Sequence, residues 1–256
     1  MFNPIRWFLD VNKKCSSAIA KIFPNTKFDI DALDAYYKDQ IFTSLADDST
    51  VVDIGGGRRW QFQNQRHKFK NLKVIAVDIS AEELSYNHDA DEKIVFAMGT
   101  DARLPIDDNS VDVVTSQMVL EHIENNDNTV REVSRILKPG GKFISLMPNK
   151  FALFSIINQI LPHKFARKVL YAILNDPSVK EIQGFKAYYN QTYYPALRNL
   201  LERYGFTDIK FTLSYNQSDY FGFFVPFALL SLMWDCLMYI FGIKPFCAYI
   251  SFTAIK

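Results

Sequence analysis

Cysteine is scarce in this chain: Cys15, Cys236 and Cys247 are far apart and odd in number. No CxxC and no Cys/His grouping has the spacing of a zinc site, so neither a disulfide framework nor a metal is expected. An excess of charge of one sign is also missing. With 29 basic against 28 acidic residues the formal charge is +1, which provides no field for gathering the phosphates of a nucleic acid, and a nucleic-acid partner is disfavoured. Near the start, apolar Trp7, Phe8 and Leu9 are interrupted by Asp10, Asn12, Lys13 and Lys14, so no export signal is expected. There is no internal repeat and no low-complexity tract. Aromatic side chains, in contrast, make up 15% of the 256 residues, and many of them gather toward the C-terminal end.

The length suits one elaborated domain. Residues 1–40 carry apolar positions at helical spacing, among them Ile5, Phe8, Ala18, Ile19, Ile22 and Phe23 with Lys13, Lys14 and Lys21 between them, which predicts an amphipathic N-terminal helical segment. From there to residue 256, short apolar runs alternate with helical patterns. Strands are expected at Val51–Ile54, Lys73–Val77, Ile94–Ala97, Val111–Thr115, Lys142–Leu146, Phe206–Leu213 and Phe246–Ile255. That is the rhythm of an α/β domain with a mostly parallel sheet and crossover helices. A helix over Thr129–Leu137 is expected to stop at Lys138-Pro139-Gly140-Gly141.

The first strand runs through Asp53 into Gly55-Gly56-Gly57, a turn that lets a ligand approach the backbone. About twenty residues on, the next strand ends in Asp78, with Ile79 beside it, a carboxylate placed to accept the hydroxyls of a ribose. Trp60 stands where a dinucleotide fingerprint requires its third glycine, so a pyrophosphate-bearing cofactor is disfavoured. Asp78 as a helix cap before Ser80 and Glu83, Asp101 as a turn residue and Asp53 as a strand-end hydrogen-bond partner are the competing structural readings.

Further along, Gly99-Thr100-Asp101-Ala102-Arg103-Leu104-Pro105-Ile106 is followed by Asp107-Asp108-Asn109-Ser110-Val111-Asp112, then by Leu120-Glu121-His122-Ile123 and Leu137-Lys138-Pro139-Gly140-Gly141. In this order the motifs resemble the class I S-adenosylmethionine-dependent methyltransferases of the ubiquinone-biosynthesis type, over roughly Val51–Asn149. The resemblance implies a Rossmann-like sheet with an antiparallel last strand and S-adenosyl-L-methionine as cofactor, S-adenosyl-L-homocysteine being its product. It places Asp53, Gly55 and Gly57 around the methionine moiety, Asp78 and Ile79 at the ribose, Asp101 and Ala102 at the adenine, and Ser116 and Gln117 facing the cofactor. Arg59 departs from the family's usual small residue and supplies a cation for the methionine carboxylate or disturbs the fit there.

His122, beside Glu121, is the candidate base for a hydroxyl acceptor, with packing or capping as its structural alternative. Tyr188 and Tyr189 are candidate acceptor-pocket residues, or core. Apolar helical insertions are expected at 151–175 and 216–245. Phe221–Ile243 has the length of a membrane span, but in the resembled fold the strands on either side of it are neighbours, so it must return as an interfacial element or helical hairpin, with Asp235 away from lipid. The expected function is methyl transfer to a hydroxyl of a hydrophobic or lipid-linked acceptor, a lipid-linked sugar or quinone-type ring, by a peripheral protein on the cytoplasmic face of a membrane. Alternatives are a soluble enzyme with an apolar lid, a homodimer burying the same surfaces, and a binding module without turnover.

Overall fold

The structure, a computed structural model, describes residues 4–20, 29–160 and 185–256. Seven strands form one sheet: β1 Thr50–Ile54, β2 Lys73–Asp78, β3 Glu92–Val95, β4 Val111–Gln117, β5 Leu137–Pro148, β6 Thr207–Ser214 and β7 Tyr249–Ile255. Their order is β3-β2-β1-β4-β5-β7-β6. The pairs from β3 to β5 are parallel, and β7 is antiparallel to both β5 and β6. The fold is thus the α/β, Rossmann-like arrangement expected from the sequence.

Val51, Val52, Ile54, Val74 and Val77 are at most 1% exposed, because a parallel strand covered on both faces must be apolar on both. Strand order reverses between β1 and β4, and a crevice opens outside their carboxyl ends at such a switch point. The final strand starts at Tyr249, not Phe246, because Lys244–Phe246, held around Pro245, forms a 3-10 turn first.

Helices α1 Pro4–Ala20, α2 Ile30–Phe42, α3 Ala81–Ser85 and α4 Asn126–Ile136 precede the fifth strand. α4 begins three residues before the expected Thr129 because the Asn125 side chain caps it, accepting from the amides of Asp127 at 3.1 Å and Asn128 at 3.4 Å. The helix stops at Ile136, just before Lys138-Pro139-Gly140-Gly141, and the strand begins earlier than the expected Lys142, at Leu137, so the motif is part of it. There it forms an irregularity in the β4 register, with Gly140 at φ +81°.

Beyond β5 come α5 Leu153–Ile160, α6 Tyr194–Arg203, α7 Ser218–Phe221 and α8 Val225–Ile240. Of the apolar segment after β5, residues 161–175, including His163, lie outside the described residues. The apolar stretch between β6 and β7 holds the short α7 packed against one long helix. The long helix is α8, opened by Pro226 in the first turn where its missing N–H costs nothing, and the turn into β7 follows it. Among the described residues no helix is long and apolar enough to cross a membrane.

Asp235 on α8 is wholly buried. It accepts hydrogen bonds from the Gln217 backbone amide at 3.1 Å and from Gln217 Nε2, while Gln217 Oε1 accepts from Leu153 N at 2.7 Å. Burial pushes the Asp235 carboxyl up to about 8. The chain of bonds ties α8 to the start of α5 and satisfies groups that would otherwise be costly inside an apolar layer. α1 is pinned to the N-terminus of α8: Asn12 Oδ1 accepts from Val225 N at 3.0 Å, and Ser16 Oγ donates to Gly222 O at 3.1 Å.

Candidate active site

Asp53 and Asp78 end adjacent parallel strands, with the glycine turn between them. Gly55 has φ +74°, and a Cβ there would lie 2.2 Å from Val119 Cγ2. A Cβ on Gly56 would lie 2.9 Å from Ala76 Cβ. Only glycine permits this turn to fold flat against β2 and the segment after β4. Gly57 differs. A Cβ there would come no nearer than 3.8 Å to any atom, the Gly55 carbonyl, and 4.0 Å to Asp78 Oδ2, so the turn leaves open room beside the Asp78 carboxylate.

Asp78 Oδ2 accepts from Gly57 N at 3.1 Å and Oδ1 from Ser80 N at 2.8 Å. These amides orient the carboxylate and leave each oxygen a further lone pair for a ligand hydroxyl. The cap of α3 is Ser80, whose Oγ accepts from Glu83 N at 3.2 Å. After the turn the chain runs into Trp60 and a 3-10 segment, Gln63–Lys68. The segment that follows the turn is thus not the α-helix on whose N-terminus a dinucleotide's pyrophosphate rests. Trp60 is 3% exposed and its amide donates to Asp89 Oδ2 at 3.0 Å.

Asp53 keeps some accessible surface but is packed on most sides, and its Oδ1 accepts from Thr115 Oγ1 at 2.7 Å. Burial pushes its carboxyl up to about 6, against the lowering effect of the Thr115 bond. Tyr37 of α2 lies against it, and burial, then Asp53, then Asp34 raise the Tyr37 phenol well above its ordinary value. On the same helix, Asp34 Oδ1 accepts from Gln117 Nε2 at 2.7 Å. Asp34, Lys38, Arg59, Trp60, Gln117 and Met118 line a cavity of about 750 Å³ beside the glycine turn. Asp34 and Tyr37 were not singled out in the sequence; the local signal is an acid and a tyrosine three apart on one helix, and only long-range packing reveals what they face.

The other sequence-derived residues distribute as follows. Ile79 is 58% exposed beside Asp78, and Asp101 and Ala102 are exposed on the loop after β3, where Asp101 Oδ1 accepts from Asn128 Nδ2 at 2.9 Å. Ser116 is fully buried at the end of β4, and among the described residues its Oγ and Gln117 Oε1 have no hydrogen-bond partner. His122 closes a 3-10 turn, Leu120–His122, with its side chain about one third exposed; Nδ1 lies 3.1 Å from Lys186 O. Tyr188 and Tyr189 lie over that turn, their amides donating to Glu121 O at 2.8 and 3.0 Å. Tyr189 is 4% exposed at φ +54°. Thus Asp53, Gly55, Gly57, Asp78, Ser116 and Gln117 converge at the switch point, Asp101 and Ala102 stand at its rim, and His122 and the tyrosines form a second group beyond β4.

The sheet is doubly wound with an antiparallel strand next to its edge, and its switch point carries a glycine turn and two strand-end carboxylates. Known proteins share parts of this arrangement. Residues 52–145 match the methyltransferase domain family. The ubiquinone/menaquinone biosynthesis C-methyltransferase of Hahella chejuensis is 31% identical over 109 residues, 38% of this chain and 42% of that protein. The chain therefore spans less than half the length of the curated relatives it matches. Among solved structures, a SAM-dependent methyltransferase from Archaeoglobus fulgidus superposes with a TM-score of 0.53 at 16% identity, covering 90% of this chain and 97% of that one. Phosphoethanolamine N-methyltransferase 2 of Haemonchus contortus, solved with S-adenosyl-L-methionine, gives 0.51 at 18% identity over 85% of this chain and 50% of its own. At such identities these two show the fold alone. What the comparisons show is therefore a methyltransferase-like fold, with a methyltransferase-domain match over residues 52–145.

Proposed function

We propose that this chain transfers the methyl group of S-adenosyl-L-methionine to a hydroxyl of an apolar, lipid-like acceptor, a quinol-type ring being favoured, at the cytoplasmic face of a membrane. The observation that carries the reading is the pair Asp53 and Asp78 at the ends of β1 and β2, separated by a turn that is closed at Gly55 and Gly56 but open at Gly57. A ribose diol fits the oriented Asp78 carboxylate, and Ile79 and Ala102 offer apolar surface for an adenine. The free acceptor atoms at Ser116 and Gln117 suit the amino group of the methionine moiety, and Arg59 at the cavity wall suits its carboxylate. The bound sulfonium supplies an electrophilic methyl group. The protein's part is to position the acceptor in line and exclude water.

The membrane reading rests on one apolar ridge. Trp7 and Phe8 on α1 are 57% and 46% exposed, and on and just after α8 Leu230, Met233, Ile240 and Phe241 are 57%, 57%, 72% and 70% exposed. Lys14 is exposed on the same N-terminal helix. An apolar face beside basic charge suits an interfacial helix on anionic lipid. Leu230→Glu with Met233→Glu should abolish cosedimentation with phosphatidylglycerol vesicles while leaving cofactor affinity intact. Undiminished cosedimentation would remove the ridge from the proposal, and a dimer that dissociates in the variant would assign it to self-association.

Calorimetric titration with S-adenosyl-L-homocysteine, with NADH as control, tests the cofactor. Only the first should bind, and Asp78→Ala should weaken it by roughly 10- to 100-fold, the loss of hydrogen bonds to a charged acceptor. Unchanged affinity in that variant would displace the ribose from Asp78.

A further inference from the structure

The side chain of Glu121 is the buried ionisable group for which the fold has no use. Glu121 is 4% exposed, and among the described residues its Oε2 has no hydrogen-bond partner. Its structural bonds are made by the backbone carbonyl, which receives the amides of Tyr188 and Tyr189 and would do so for any residue. Among the described residues no lysine or arginine pairs with the carboxylate, and His122 Nε2 lies 3.8 Å from Oε1. Leaving such a group unsatisfied in the interior is costly, which makes an absent ligand the natural partner for Oε2.

The position of its turn says which ligand. Val119, just before the turn, is the residue that forbids a Cβ on Gly55. Ile123, just after it, lies 2.6 Å from where a Cβ on Gly99 would be. The Leu120–His122 turn is therefore clamped between the glycine turn and the loop leading to Asp101, along the length of the cofactor cleft. Aromatic groups complete the surroundings: Tyr189 from the strap over the turn, and Tyr220, stacked on Phe154 with ring centroids 4.1 Å apart. These tyrosines and His122 are the titratable groups that face Glu121 from the strap, α7 and its own turn.

We propose that Glu121, and not His122, is the catalytic base that takes the proton from the acceptor hydroxyl. The assignment rests on the methyltransferase reading above. In the step, the acceptor oxygen forms a bond to the methyl carbon as the carbon–sulfur bond breaks, and that bond's electron pair remains on sulfur as a neutral thioether. The hydroxyl O–H pair stays on oxygen and the proton passes to Glu121 Oε2. His122 gives this proton its way out. Its Nδ1 faces the Lys186 carbonyl, which can only accept, so Nδ1 carries the hydrogen and Nε2 presents a lone pair toward Glu121. Burial pushes the Glu121 carboxyl up to about 8, against a lowering by its own backbone amide. Such a base is about two units below a phenol, whose ordinary value is about 10, but far below an alcohol, whose hydroxyl resembles that of water at about 15.7. A quinol-type acceptor is matched to it and a sugar hydroxyl is not.

The test uses the full chain saturated with S-adenosyl-L-homocysteine and 4-nitrophenol as the probe, a phenol whose ionisation is visible in its spectrum. Wild type should bind the probe with a bell-shaped pH dependence, because probe and Glu121 together hold one proton in the complex. Glu121→Gln should keep its affinity for S-adenosyl-L-homocysteine, bind the probe about tenfold more weakly at the former maximum, and retain only the inflection of the probe itself. His122→Ala should keep both limbs. Failure to bind S-adenosyl-L-homocysteine would overturn the methyltransferase reading. Normal binding of it with no probe uptake, an unchanged bell in Glu121→Gln, or a limb lost in His122→Ala alone would overturn the assignment of Glu121.

Discussion

Gly55→Ala is expected to remove measurable binding of S-adenosyl-L-homocysteine and to destabilise the fold by about 2–4 kcal/mol. Two costs combine. A non-glycine residue at φ +74° enters the left-handed region at about 1–2 kcal/mol. The larger cost is steric, because the new methyl would sit 2.2 Å from Val119 Cγ2 and 3.2 Å from Val119 Cβ. Val119 is β-branched and has few rotamers to retreat to, and the next residue, Leu120, is fully buried. Relief therefore requires moving the turn that carries Glu121 and His122. Gly140→Ala separates the two costs, since Gly140 has φ +81° with nothing within 4 Å of a Cβ; it should show the backbone cost alone and bind as wild type. Urea unfolding and calorimetry on both variants provide the comparison, and wild-type binding by Gly55→Ala would mean that this turn is not the floor of the cofactor site.

That turn was legible in the sequence because its requirements are local: an apolar strand, an acid, then glycines. The parallel strands were legible for a related reason, since burial on both faces leaves uninterrupted runs such as Val74-Ile75-Ala76-Val77. Elements whose bounds depend on a neighbour were less so. Asn125 extends α4 by capping it, and the positive-φ Gly140 is accommodated inside β5, neither of which hydrophobic periodicity reports. The choice between Glu121 and His122 was the least legible. Residue chemistry alone points to histidine, whose ordinary pKa lies near neutrality, and the proposal of Glu121 rests on burial, which leaves His122 partly in solvent and raises Glu121. Asp34 and Tyr37 were invisible for the same reason: their meaning comes from Gln117, at the end of β4, and from Asp53, sixteen residues after Tyr37 on β1.

Stability should fall as pH rises from about 4 to about 8. The direction follows from the buried acids. Burial raises Glu121 and Asp235 to about 8 and Asp53 to about 6, while the unfolded chain releases the same protons near pH 4. Across that interval the folded state holds protons that the unfolded state has lost, so each unit of pH weakens folding by about 1.4 kcal/mol per shifted group. Above pH 8 both states are ionised and the loss levels off. Two other carboxylates act in the opposite sense at more acid pH. Asp108 is held below its ordinary value by its hydrogen bond to Arg135, and at Asp91 the raising effect of burial is outweighed by the Arg66 bond; their contribution is present above about pH 4 and is lost as pH falls through their lowered values. The optimum thus lies on the acid side of neutrality, near pH 4–5. Urea midpoints measured from pH 4 to 9 should show a decline of at least about 3 kcal/mol by pH 8, which the rise of Asp53 to about 6 contributes alone. Glu121→Gln should flatten the decline by removing one proton from the balance, at no cost in structural hydrogen bonds, since the Glu121 side chain makes none beyond its own residue. A flat profile between pH 5 and 8 in wild type would mean that these acids are ionised in the folded protein, and the same slope in Glu121→Gln as in wild type would place the bound protons elsewhere.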